Sequence, residues 1–563
     1  LSASIARPVP MRRADCRQRF ALAADQRLRI LLLAFLFIGA VLLARIGHIF
    51  IMGLINGGGA APAAMFDRAD IVDRNGVPLA RSIPVHSIRS VRSKLMHDPR
   101  MLARELARIF PDTTEATFYS RLTGRPSSII RRRATPDQLN AVNELAEIGF
   151  EYPEEPERLY PQGPIAAHVL GFVAPGRGGV MGIERRFDEQ LAANAARGEP
   201  FALSLDTRVQ AALELELGDA VTQLEAKGGA GLVLDVDTGE VLAMASMPTF
   251  DPNRVNFSDP AAQWNSVSFT TFELGSTFKP ITVAAAMDAG VITDMARRYD
   301  ATRPLTVGGH RISDSHSADR WLNVPEALVH SSNVVTAQIA DDLGKDRLQA
   351  TFRALDFDKR PTIELPERGL PQWPRSWGRT TTMTAGFGHS IMVTPLHLAS
   401  AYAALVNGGI WRPATILKVE EGHVVQGRRV FTESTSARMR QLLRMIVASG
   451  TGSRADAPGY RVGGKTGSAE RVIDGTYVGN SVVATFAGAF PMDRPRYVVL
   501  VMIDRPPGNA YSLGQRTAGF TAAPVVRKVV QRIGPMVGIY PDAHRDVDIS
   551  ELEPLLWKPR AER

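Results

Sequence analysis

The stretch Glu273-Leu274-Gly275-Ser276-Thr277-Phe278-Lys279-Pro280 orders the rest of the chain. Its serine and lysine are three apart, so a helix that starts here places them on one face, one turn from each other. That spacing brings an amine within reach of a hydroxyl proton, which is what a serine needs to become a nucleophile. Gly275 permits a tight approach to the helix, and Pro280 is tolerated because first-turn N–H groups lack an intrahelical partner. A Ser-x-x-Lys match arises roughly once by chance in a chain of this length, and an ordinary amphipathic helix start would read the same. Two observations favour chemistry. The pattern occurs only here, and the chain uses nine lysines against fifty-seven arginines. Arginine keeps its proton in proteins, whereas lysine releases it once its pKa is depressed, so a retained lysine suits a base. A GC-rich codon bias would give the same ratio.

Length and charge narrow the classes. A chain of 563 residues exceeds one core, and about two to four domains are expected. The net charge of +8 is uneven: residues 1–29 carry seven arginines and two aspartates, which leaves +3 for residues 30–563. The basicity is a tail rather than a groove, which argues against nucleic-acid binding. Cys16 is the only cysteine, so no disulfide forms within the chain and cysteine-based metal sites are excluded. The eleven histidines are scattered with no His-Glu-x-x-His, and neither a metal nor a cofactor is expected.

From Ile30 to Ala44 the chain is apolar, and after Arg45 it continues to Ile55 with His48 the only titratable residue. A membrane-spanning helix needs about 20 apolar residues. Residues 30–52 supply one if Arg45 snorkels to an interface, or else meets a partner's transmembrane helix. The basic flank keeps the N-terminal side in the cytoplasm and sends the remainder outside. The stretch is long for a cleaved signal peptide, so a retained anchor is the preferred reading. The first residue is Leu1, and Met11 is a candidate start.

Residues 66–200 read as a second region. Short strands flank the Asn75-Gly76 turn between Asp67 and Ser90. Residues 99–147 carry apolar positions at helical spacing, and Arg131-Arg132-Arg133 reads as a solvated charge run. His168 and Glu184 read as packing and hydrogen-bonding residues. The third region opens near Leu203. Two apolar runs around Asp237-Thr238-Gly239 predict a hairpin. Helical patterns dominate from about Ser276 to Val447, including Thr394 to Leu405. Strands return at Tyr460–Ala469, Ser481–Phe490 and Tyr497–Ile503, and a helix with an apolar face closes the region at Thr521 to Ile533. Strands at both ends with helices between imply one antiparallel sheet from distant segments and an inserted helical subdomain, with Ser276 at their junction.

Two further patterns follow the first. Ser331-Ser332-Asn333 falls on a turn between two helical stretches, and Lys465-Thr466-Gly467-Ser468 falls on a strand. Each is the only Ser-x-Asn or Lys-[Ser/Thr]-Gly in the chain. Singly, either reads as decoration. Three unique matches in this order, 55 and then 134 residues apart, are the set found in penicillin-binding proteins and class A β-lactamases. Gly459 to Thr466 also fits the phosphate-loop pattern Gly-x4-Gly-Lys-Thr. That loop requires a helix to start at its end, and here Gly467 and an Asp474-Gly475 turn follow, so nucleotide binding is rejected.

On these motifs the chain resembles the class B penicillin-binding proteins, membrane-anchored serine D,D-transpeptidases of peptidoglycan synthesis. Their non-catalytic pedestal is matched by Arg68-Ala69-Asp70-Ile71-Val72-Asp73-Arg74-Asn75-Gly76, by Arg158 to Phe172 and by Gly182 to Leu191. Ala69 stands where glycine is common, and Leu274 where proline is common before the serine. Neither touches a reacting group. No glycosyltransferase domain is evident, and no extra C-terminal module is expected. The chain is most similar to the division-specific, septal branch, with the elongation-specific branch the alternative. A β-lactam sensor and a non-enzymatic division scaffold are the other readings.

The resemblance implies an α+β fold in six parts. These are a cytoplasmic tail (1–29), a transmembrane helix (30–52), a linker (53–65), an elongated pedestal (66–200), a transpeptidase domain (201–540) and a C-terminal tail (541–563). The transpeptidase domain would be serine β-lactamase-like, an antiparallel sheet covered by helices with an inserted all-helical subdomain. It implies that Ser276 attacks the penultimate D-alanine carbonyl of a stem pentapeptide, that neutral Lys279 takes its proton, and that Ser331 relays a proton to the leaving D-alanine. Asn333 would orient the substrate amide and Lys279. Lys465, Thr466 and Ser468 would hold the terminal carboxylate, and Gly467 would leave the strand edge open. Backbone N–H groups of Ser276 and Ser468 would form the oxyanion hole. The implied partners are stem peptides and β-lactams, the inner membrane, a membrane glycan polymerase and division-complex proteins, with the catalytic domain in the periplasm.

Overall fold

Pedestal residues from distant stretches meet first at one buried carboxylate. Glu184 is fully buried, and it accepts from Arg68 Nε at 3.0 Å, from Arg158 Nε at 2.7 Å and from the Tyr160 hydroxyl at 3.3 Å. A buried carboxylate persists only when paired and hydrogen-bonded in this way. The three pedestal motifs therefore close on one another as a single ion cluster.

The computed structural model describes residues 68–557, apart from 175–176, 256, 258 and 474–475, together with Leu33, Ile38, Gly39 and Arg45. The expected tail, membrane helix and linker at 1–65 lie outside this description but for those four residues. Among the described residues no helix is long and apolar enough to cross a membrane.

Around the ion cluster, the strands Glu154–Leu159, Pro78–His86, Ile71–Val72 and Phe201–Ala202 form a four-stranded sheet in that order. A second sheet, Ser127–Arg131, Ile88–Val91 and Phe150–Glu151, packs against helices Pro99–Ile109, Glu115–Thr123 and Pro136–Asn143. The stretch expected to be helical is thus broken by a strand. Ile129 and Ile130 are β-branched and Ile130 is fully buried, and β-branched residues favour the pleated surface over a helix. The arginine run ending that strand is not simply solvated either. Arg131 donates to Asp112 at 2.6 Å and lies 5.1 Å over the Phe110 ring, while Arg133 pairs with Glu157 at 2.6 Å.

His168 behaves as a packing residue. It is buried, its Nε2 lies 2.8 Å from the Ala262 carbonyl, and burial pushes its pKa down to about 4. Since Ala262 lies beyond the pedestal in sequence, this contact also ties the pedestal to the next domain.

That domain is built on a five-stranded antiparallel sheet in the order Val241–Met247, Gly228–Asp235, Tyr497–Asp504, Thr476–Phe490, Gly463–Ile473. Its strands come from both ends of the domain sequence, as the pattern predicted. Helices Thr207–Gln223 and Ala522–Ile533 bury their apolar stripes on one face. Helix Pro395–Val406 lies on the other, with every residue buried, as an apolar-all-round helix must be. Residues 541–557 run back over the domain, where Arg444 pairs with Asp546 and Trp557 N donates to Glu326.

The inserted region is not all-helical. It contains the ribbons Arg298–Asp300 with Trp321–Asn323, Leu305–Val307 with His310–Ile312, and Ile410–Trp411 with Arg428–Arg429. The second ribbon turns at Gly308-Gly309, where φ is +56° and +80°. Two successive positive φ values are what a two-residue hairpin turn requires, and glycine supplies them without strain.

Candidate active site

Ser276 sits in a 3-10 turn, Gly275–Phe278, that runs directly into helix Lys279–Asp288. In 3-10 geometry residues three apart eclipse, so the serine stands above the lysine as the spacing predicted. The turn is held from three sides. Gly275 adopts φ +54°. A Cβ on Gly388 would come within 2.1 Å of the Gly275 carbonyl, so glycine there lets a second loop close on the turn. The buried Tyr402 hydroxyl donates to the Thr277 carbonyl at 2.9 Å.

The strand Gly463–Ile473 is the sheet edge beside this turn. Side chains alternate along it. Lys465 and Gly467 face the Ser276 turn. A Cβ on Gly467 would lie 2.4 Å from the Leu274 carbonyl and 2.8 Å from Thr277 Cγ2. The glycine therefore makes room for the turn itself, a role the sequence did not suggest. Thr466 and Ser468 alternate with them: Thr466 Oγ1 accepts from Lys465 Nζ at 3.4 Å and donates to Thr451 Oγ1 at 2.8 Å, and Ser468 Oγ accepts from Ala518 N at 3.0 Å, which leaves its own proton to donate. The strand runs through Thr466 to Ile473 without a helix start, which removes the phosphate-loop reading.

Ser331 lies between helices Val324–Val329 and Asn333–Leu343 with φ +61°, a left-handed conformation uncommon for a non-glycine residue. Its hydroxyl is where the two lysines meet. Lys465 Nζ donates to Ser331 Oγ at 2.8 Å, and Lys279 Nζ donates to the same oxygen at 3.2 Å and to the Ser331 carbonyl. Both lysines are fully buried. Burial and then the charge of Lys465 hold Lys279 well below the usual lysine range, with Asp314 pulling it back up. Burial lowers Lys465 to about 7. Amines in such surroundings become proton acceptors near neutral pH.

Two expected contacts are not made. Among the described residues Ser276 Oγ has no hydrogen-bond partner, and the Asn333 side chain donates to the Ser313 carbonyl at 3.0 Å rather than to Lys279. Asp314, Thr451, Tyr402 and Gly388 were missed by sequence reasoning. They come from four separate segments and carry no local pattern that links them to the site.

The architecture and this convergence have counterparts. Residues 229–531 match the penicillin binding protein transpeptidase domain, and residues 66–198 match the penicillin-binding protein dimerisation domain. This chain belongs to the class B penicillin-binding proteins. As such it is 39% identical over 529 residues to the probable peptidoglycan D,D-transpeptidase FtsI of Caulobacter vibrioides, covering 92% of this chain and 89% of that one. This penicillin-binding protein is also 32% identical over 519 residues to the peptidoglycan D,D-transpeptidase FtsI of Escherichia coli K12, covering 86% of each. Its fold matches the crystal structure of penicillin-binding protein 3 of Mycobacterium tuberculosis complexed with aztreonam. The TM-score is 0.66 at 24% identity, over 84% of this chain and 97% of that one.

Proposed function

We propose that this chain is an FtsI-type peptidoglycan D,D-transpeptidase that cross-links stem peptides through an acyl-enzyme on Ser276. The observation that carries the reading is the convergence of two buried, pKa-depressed lysines on the Ser331 hydroxyl. Two amines this close in low dielectric do not both hold a proton, so one serves as a base while the other stays a cation.

Lys279, neutral, takes the Ser276 proton as Oγ attacks the carbonyl of the penultimate D-alanine. The Ser276 and Ser468 backbone N–H groups receive the developing oxyanion, each worth about 10²–10³ in rate. Collapse breaks the C–N bond, and the departing D-alanine nitrogen takes a proton from Lys279 by way of Ser331. Lys465, with Thr466 and Ser468, holds the substrate's terminal carboxylate. Asn333 orients the substrate amide. A neutral amine from a neighbouring stem then attacks the acyl-enzyme carbonyl and gives a proton to Lys279; the new C–N bond forms, the ester C–O bond to Ser276 breaks, and Lys279 returns the proton to Ser276 Oγ. A β-lactam enters the same path and remains on Ser276. The unpartnered Ser276 hydroxyl suits this scheme, since hydrogen bonds to the base often tighten only once substrate is bound.

Residues 30–52 anchor the chain in the inner membrane with residues 1–29 in the cytoplasm. The pedestal and transpeptidase domains (66–200 and 201–540) stand in the periplasm, where a glycan polymerase and division proteins are the partners. The names of the relatives support the septal role.

The test is the intact mass after incubation with a penicillin, wild type beside Ser276→Ala. One adduct per chain on the wild type alone is expected. No adduct on folded wild type would sink the mechanism. Depletion in cells separates the branches: filaments support the septal role, and rounded cells would assign the chain to elongation.

A further inference from the structure

We infer that Asp314 is the positioning residue of the Ser331–Asn333 turn, and that its carboxylate fixes the orientation in which Ser331 meets the two lysines. The inference rests on the transpeptidase reading above and extends it to a residue outside all three motifs.

The carboxylate makes three contacts, two on the motif and one on the residue after it. Oδ1 accepts from Asn333 N at 2.5 Å and from Val334 N at 3.0 Å, and Oδ2 accepts from Ser332 Oγ at 2.7 Å. The neighbouring Ser313 carbonyl takes the Asn333 amide. Ser332 Oγ in turn accepts from Val335 N as the cap of helix Asn333–Leu343. A helix start presents unpaired N–H groups and a partial positive charge, and a carboxylate satisfies both. Here it does so across the fold, from 18 to 20 positions earlier in the chain. Ser331 is the residue next to this clamp, and its left-handed φ persists only if its surroundings over-determine it.

The clamp has its own support. Asp314 follows the ribbon Leu305–Val307 with His310–Ile312. Ile312 is buried against Ala337, Met383 and Phe387, so the ribbon end is pinned to the same helix whose start Asp314 caps. The Gly308-Gly309 turn thus has a purpose: it folds the chain back so that the carboxylate arrives at the motif. Asp314 touches no reacting atom, so its effect passes through Ser331 and through its charge.

That charge gives a readout that a purely structural cap lacks. The charged groups that shift Lys279 are Lys465 from the edge strand and Asp314, and His389 from the loop after helix Arg379–Gly386 faces Lys279 and is itself lowered by it. Asp314 alone favours the protonated amine. Removing its charge while keeping its shape should let Lys279 release its proton at lower pH.

The experiment measures penicillin acylation rate against pH for the full chain as wild type, Asp314→Ala and Asp314→Asn, with the melting temperature of each. Asp314→Ala should acylate on the order of 10²-fold more slowly, as expected when a reacting group is displaced by about an ångström. Asp314→Asn, which can still accept both N–H bonds, should recover to within about fivefold. Its acid limb should lie at lower pH than that of the wild type. The inference is overturned if Asp314→Ala acylates at the wild-type rate, if Asp314→Asn is as slow as Asp314→Ala, or if the acid limb does not move. Should Asp314→Ala fail to fold, the Asp314→Asn rate and limb decide alone. Absence of any adduct on the wild type would instead remove the transpeptidase reading itself.

Discussion

Lys465 Nζ lies 2.8 Å from Ser331 Oγ, although the two residues are 134 positions apart. With Lys279 donating to the same oxygen at 3.2 Å, one hydroxyl joins an edge strand, a helix–helix turn and the Ser276 turn. A hydroxyl has two lone pairs and one proton, so it can accept from both amines while its own proton remains available.

Acylation should therefore follow a bell-shaped pH profile. Below the depressed pKa of Lys279 the base is protonated and the rate falls as pH drops. Above about 7 the free enzyme loses the Lys465 cation proposed to hold the carboxylate, and the rate should fall as pH rises. The two limbs belong to the coupled pair rather than to one lysine each. A bound carboxylate favours the cation, so the alkaline limb of kcat should lie above that of kcat/KM. A rate for penicillin acylation that climbs steadily to pH 9 would contradict this.

Ser331→Ala removes the oxygen shared by both amines while leaving the backbone turn. Penicillin acylation should slow by about 10²–10⁴-fold, the usual worth of a positioned proton-transfer group. The melting temperature should change little. Stopped-flow quenching of protein fluorescence gives the rate, and a loss under tenfold would remove Ser331 from the proton path.

Gly467→Ala places a methyl 2.4 Å from a backbone carbonyl that cannot swing aside. The edge strand and the Ser276 turn must separate. Overpacking of this kind costs about 1–3 kcal/mol, and acylation should slow with it. Urea unfolding beside acylation kinetics checks both; unchanged stability would mean the turn yields without cost.

Glu184→Ala leaves Arg68 and Arg158 buried without their shared carboxylate. Breaking a buried ion cluster from one side costs about 3–5 kcal/mol. The loss should appear as earlier unfolding of the pedestal in denaturant. Penicillin acylation of the folded fraction should stay near the wild-type rate, because no member of the cluster is among the residues that meet at Ser331.

The convergence of Lys279 and Lys465 on Ser331 was legible because the patterns that carry these residues are rare in this chain. One Ser-x-x-Lys, one Ser-x-Asn and one Lys-Thr-Gly stand out against the background, and the roles proposed for them demand those residue types. The hairpin at Asp237-Thr238-Gly239 was legible from the apolar runs on either side of it. What stayed hidden has a common cause. Asp314 reaches the site through tertiary packing, and an aspartate between two serines looks like any polar loop. Tyr402 sits in a helix whose every face is buried, so no periodicity separates it from its neighbours. The strand Ser127–Arg131 is only five residues long, too short to break a helical pattern on either side. Asn333 opens helix Asn333–Leu343 rather than lying on the turn before it, and which way its amide points depends on Ser313, a partner 20 positions away.

The buried carboxylate of the pedestal carries a further consequence, for inheritance. Arg68, Arg158 and Glu184 come from three separate stretches of sequence, yet with Asp188, which also pairs with Arg68, the fold treats them as one charge balance. Losing Glu184 takes the shared carboxylate from both arginines in low dielectric, and losing either arginine leaves one carboxylate oxygen without its partner, so single changes are selected against while a joint exchange for apolar residues is not. In descendants of this chain the three positions should mutate together or not at all, and the apparent richness of the pedestal signature amounts to a single inherited character.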